Sequence, residues 1–71
     1  MFNYVAVCQY PDKEAFRFYS PTFVVDHWSE IDDVAQRVVT EAWGEISPHE
    51  APPIIDIVPG LLLYREKSYV Q

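Results

Sequence analysis

Cys8, His27 and His49 are the side chains in this sequence that could pair a nucleophile with a base. A thiolate needs an imidazole within hydrogen-bond reach, and a catalytic site needs an electrophile stabiliser converging on the same pocket. Cys8 falls inside FNYVAVCQY, a run of aromatic and β-branched residues, where a cysteine is expected as a small buried hydrophobe. The same three residues could hold zinc, but spacings of 19 and 22 residues match no compact ligand pattern. Glu30, Asp32 and Asp33 could form a general-acid or metal carboxylate cluster. Next to a helix start, such carboxylates instead complement the helix dipole. Two glycines provide no phosphate-cradling loop. Tyr4, Phe16, Phe18 and Tyr19 could stack nucleic acid bases, but Arg17 is the only base close to them, so they read as core aromatics. The chemistry-bearing residues therefore point to a protein that is not an enzyme, needs no cofactor or metal, and does not contact nucleic acid directly.

Charge is the more informative feature. The net charge is −6, and between Asp26 and Asp56 eight acids (Asp26, Glu30, Asp32, Asp33, Glu41, Glu45, Glu50, Asp56) face one base, Arg37. The rest of the chain carries three acids and four bases, so the whole excess lies in the central segment. Such a field repels phosphates and attracts basic surfaces; the bland alternative is a solvated helix face kept soluble by its charge. Trp28 and Trp43 bracket the helix. Trp43, at the border of an apolar stripe, could be half-exposed and anchor an interface, and a lid on the core is at least as good a reading. The expected partner-binding set is Asp26, Glu30, Asp32, Asp33, Glu41, Trp43 and Glu45.

These residues must be positioned by one helix, SEIDDVAQRVVTEAWG, Ser29 to Gly44. Ile31, Val34, Ala35, Val38, Val39 and Ala42 recur at helical spacing on one side. Ser29, with Asp32 three residues on, predicts an N-cap; Gly44, ahead of Pro48, predicts a C′ residue. The flanking segments alternate as strands. Residues 2–10 predict an interior strand, pairing as a hairpin with 15–19 across the turn Pro11-Asp12-Lys13-Glu14. Pro21 marks an edge or bend, so 15–27 is either one bent strand or, preferably, two. Glu45 to Pro53 is extended linker chemistry. Ile54 to Val58 is strand-like, and Pro59-Gly60 suits a type II turn ahead of Leu61 to Tyr64, so the two runs form a loose final hairpin or one strand preceded by an apolar arm.

The fold class expected is α+β: a small antiparallel sheet (β-β-β-α-β, with a final hairpin as a variant) and one helix, about 29–44, packed on one face. At 71 residues this is one domain, 1–71, near the size where a single core barely offsets chain entropy. Five Tyr, four Phe and two Trp supply that core, with enough left for a partner or a second copy. One cysteine makes no internal disulfide, no leader-like segment opens the chain, and no apolar run could span a bilayer. A cytoplasmic setting with no membrane contact fits.

Hairpin, third extended segment and capped acidic helix, in that order, resemble the HicB-like antitoxin domain. Ser29-Glu30-Ile31-Asp32-Asp33-Val34-Ala35 looks like that family's helix start, and Pro52 to Ile54 like its extended return; the likeness covers residues 2–54. The family's glycine-rich first hairpin and Pro-Gly loop are replaced here by Pro11-Asp12-Lys13-Glu14 and Ser20-Pro21, and its DNA-binding segment has no counterpart. The resemblance implies an acidic module that masks a small basic ribonuclease, without autorepression. An anti-CRISPR-like inhibitor of host defence fits the same composition. The alternative from another class is a homodimeric small-molecule or peptide-binding domain.

Overall fold

The computed structural model describes residues 2–13 and 16–60. Strand β1 (Phe2–Cys8) is the centre of a small antiparallel sheet and pairs with every other strand: β2 (Phe18–Tyr19), β3 (Phe23–Val25) and β4 (Ile54–Pro59). Val7 pairs with both Tyr19 and Asp56, and Tyr4 with both Phe23 and Pro59. β2 and β3 therefore share one edge of β1, and β4 occupies the other. The class is α+β, with the helix on one face, as the residue patterning implies.

Residues 18–25 form two strands on one edge rather than one continuous strand, because Ser20-Pro21 shifts the register by one residue. Pro21 has no N–H to donate, so the ladder must break near it. Ser20 repairs the break. Its N–H donates to the Ala6 carbonyl (2.9 Å), and its buried Oγ accepts from the Ala6 N–H (2.9 Å) while donating to the Pro21 carbonyl (2.9 Å). A second irregularity lies in β4, where Ile54 pairs with Cys8 but Asp56 with Val7, leaving Ile55 as the extra residue of a bulge.

Helix α1 (Ile31–Gly44) is preceded by a 3-10 turn, Trp28–Glu30. The start departs from expectation: Ser29 lies inside that turn and is not the N-cap. The extended residue is His27 (φ −138°, ψ 137°), and its Nδ1 accepts from the Ser29 N–H at 3.2 Å. Glu30, immediately before α1, is already in helical conformation and makes no side-chain cap, so the expected Ser29–Asp32 capping box is replaced by an imidazole cap one turn earlier. The end differs too. Gly44 is the last helical residue, Glu45 follows with φ −79°, and no glycine among the described residues has positive φ. The Trp43 carbonyl accepts from the N–H groups of Ile46 and Ser47, so the helix unwinds through right-handed turns and does not use the freedom of Gly44.

The helix buries Ala35, Val39 and Trp43, with Ile31, Val34 and Val38 at the flanks. These meet Ala6 and Cys8 of β1 and Phe23 and Val25 of β3, with Tyr4, Phe18, Ile54 and Ile57 around them. Small residues in the centre of β1 let the helix approach the sheet closely. Val5 and Val7, pointing the other way, are also buried, consistent with the expected interior strand.

The return, residues 45–53, is fixed by three bonds: the Trp43 indole N–H to the His49 carbonyl (3.0 Å), the Tyr10 hydroxyl to the Glu50 carbonyl, and the Gln9 N–H to the Pro53 carbonyl (3.1 Å). Among the described residues, β4 pairs with β1. The type II turn expected at Pro59-Gly60 is not formed, since that turn requires positive φ at Gly60. An added Cβ at Gly60 would lie 3.1 Å from Thr22 Cγ2, a tight contact that Thr22 would have to relieve by a small shift. The expected strand at Leu61 to Tyr64 lies outside the described residues.

Candidate interaction surface

Asp26 leaves the end of β3, Glu30 closes the 3-10 turn, and Asp32 and Asp33 form the first turn of α1; all four are exposed. The fold thus places them around the N-terminal end of α1, where the helix dipole favours anions. Glu41 and Glu45 are exposed in the last turns of the helix and just beyond it, about 12 to 20 Å from Asp32 and Asp33 by helical rise. Arg37 is exposed between the groups, four residues from each of Asp33 and Glu41. The six carboxylates of the expected set are therefore two groups along one helix, not a single patch.

Trp43 does not join either group. It is 8% exposed, and three rings surround it: Phe18 at 5.1 Å, Phe16 at 6.1 Å and Tyr10 at 6.2 Å, all edge-on. Its one polar atom is satisfied by His49. It closes the core and is not the half-exposed residue that the stripe border suggests. Among the aromatics read as core, Phe16 (42% exposed) and Tyr19 (47%) are partly open to solvent.

The residue that the expected set omits is Trp28. It is 72% exposed, the most open of the large apolar side chains among the described residues, and stands at the acidic corner. The His27 ring rests against it at 5.6 Å, and His27 is itself held by Ser29, whose Oγ lies 2.9 Å from Nδ1. The signal in the sequence was position: Trp28 precedes the first stripe residue, Ile31, and sits between polar neighbours.

The residues that could have made a nucleophile pair are kept apart in environment. Cys8 is fully buried, and desolvation raises its pKa above the ordinary value of 9.0, while His27 and His49 are exposed. No group of three or more His, Cys, Asp or Glu among the described residues is placed to hold a metal ion. No helix among them is long and apolar enough to cross a membrane. An open cleft of about 500 Å³ lies between the second half of α1 and the return loop, lined by Gln36, Thr40, Trp43, Ser47, His49 and Glu50. Searches against protein-family models, curated proteins and solved structures find no match to this chain.

Proposed function

We propose that this chain is a non-catalytic binding module that engages a basic, nucleic-acid-handling protein through its acidic helix surface. One observation carries the reading: all eight carboxylates from Asp26 to Asp56 are exposed against a single base, and four of them are gathered at the N-terminal corner of α1. Charge segregated in this way steers association with a positive surface and selects against phosphates. The role is that of an inhibitor acting in the cytoplasm. It is either antitoxin-like, as the resemblance to HicB-like domains implies, or an anti-CRISPR-like inhibitor of host defence. The neighbouring genes separate these two roles.

A tagged pull-down from the native host tests the reading, with the wild type run beside a folded Glu30→Lys, Asp32→Lys, Asp33→Lys variant. The expected result is a basic protein held by the wild type and lost by the variant. Equal retention by both would reduce the corner to ordinary solvated surface. The open cleft beside Trp43 favours a second reading, a homodimeric small-molecule or peptide-binding domain. That reading expects a dimer by size-exclusion chromatography, with binding indifferent to the three charge reversals.

A further inference from the structure

We infer that Trp28 is a docking platform for an arginine side chain of the basic partner, with the guanidinium lying on the indole and pairing with the carboxylates beside it. The inference rests on the binding-module reading and adds to it which side chain is recognised and where. Its starting point is the indole, not the acids. Trp28 is no part of the core: it is 72% exposed, the 3-10 turn has no buried residue, and the helix covers the sheet from Ile31 onward. A side chain with so little packing to hold it would sample many rotamers, yet here it is propped. His27 stands against the ring, fixed in turn through its Nδ1 by the Ser29 N–H and within 2.9 Å of the Ser29 hydroxyl. A pre-set aromatic surface loses little conformational entropy on binding, which is why tryptophan is enriched among interface anchors.

Charge selects the occupant. Asp26, Glu30, Asp32 and Asp33 all fall within five residues of Trp28, so an apolar side chain docking there would strip water from carboxylates without pairing them. A cation gains from both the ring face and the acids. Arginine fits better than lysine, because its planar guanidinium stacks on an indole while its fork still reaches a carboxylate.

The experiment titrates labelled nona-arginine and nona-lysine peptides with the full chain at low salt and follows anisotropy. The two probes carry equal charge, so their affinity ratio isolates the guanidinium. For the wild type, nona-arginine is expected to bind more tightly, and Trp28→Ala is expected to reduce the arginine-to-lysine ratio by about two- to fivefold, the range of an exposed cation–π contact. Trp28→Tyr should restore part of it. An unchanged ratio in Trp28→Ala overturns the inference. If Glu30→Lys, Asp32→Lys, Asp33→Lys nevertheless weakens both peptides, the acidic-module reading stands without the arginine platform. If the charge reversals leave both affinities intact, the binding-module reading falls and takes this inference with it.

Discussion

The two indoles have opposite tasks, and substitution should separate them. Trp43 is enclosed by Tyr10, Phe16 and Phe18 and bonded to His49. Trp43→Ala should cost about 3–5 kcal/mol, a large part of the roughly 4–10 kcal/mol that a domain of this size has in total. Trp28→Ala should change stability by less than about 0.5 kcal/mol, because almost nothing packs on it. Urea denaturation of both variants measures the contrast. Cys8 supplies a second expectation at this scale. Its thiol is buried and its pKa raised by desolvation, so alkylation at neutral pH should proceed only through unfolding and stay slow in the native protein. The folded thiol also holds its proton to higher pH than the unfolded one. Its contribution to stability is thus complete below about pH 9.0 and lost as pH rises through the folded pKa. Rapid labelling of the native state would contradict this account of Cys8.

At the scale of elements, the two ends of α1 and the bend at Ser20 carry the fold's local logic. Ser20→Ala removes the acceptor that the buried Ala6 N–H uses, and an unsatisfied buried donor costs about 1–3 kcal/mol. A loss below about 0.5 kcal/mol would mean that the strand break heals without the hydroxyl. Gly44→Ala should stabilise the protein by about 0.4–1 kcal/mol, since the residue is helical and an added Cβ meets nothing within 4 Å. Destabilisation would contradict the right-handed helix end described here. The same elements show what the chain reveals unaided. The apolar spacing from Ile31 to Ala42 announces the helix, and the β-branched run around Val5 and Val7 announces a central strand, because burial on one or two faces leaves a periodic trace. Caps leave a weaker trace. Ser29 and Gly44 have the right composition for their expected tasks, but a neighbouring imidazole competes for the first and a right-handed unwinding dispenses with the second. The antiparallel pairing of β1 with β2 is legible from the turn chemistry between the two runs, whereas the β3 and β4 partners depend on contacts distant in sequence that strand composition does not encode. The acidic corner was legible as charge; its separation from Glu41 and Glu45 and the exposure of Trp28 required the fold.

For the molecule as a whole, the acids contribute little to folding, and the proposed function assigns them to recognition. The four residues Asp26, Glu30, Asp32 and Asp33 are solvated, and helix-dipole contributions at exposed positions are small, about 0.3–1 kcal/mol each at low salt. A protein near the lower size limit of a stable domain keeps eight exposed carboxylates in 31 residues against one base, which repel one another. On the present account that repulsion is offset when a basic surface arrives. The central claim is therefore electrostatic, and the most direct measurement is the affinity for the captured partner as a function of salt. Dissociation constants would be determined from low to moderate ionic strength for the wild type and for Glu30→Lys, Asp32→Lys, Asp33→Lys. The account predicts wild-type affinity that falls steadily with salt and a variant that binds more weakly with a shallower slope. Equal affinities with parallel or flat salt dependence would contradict it.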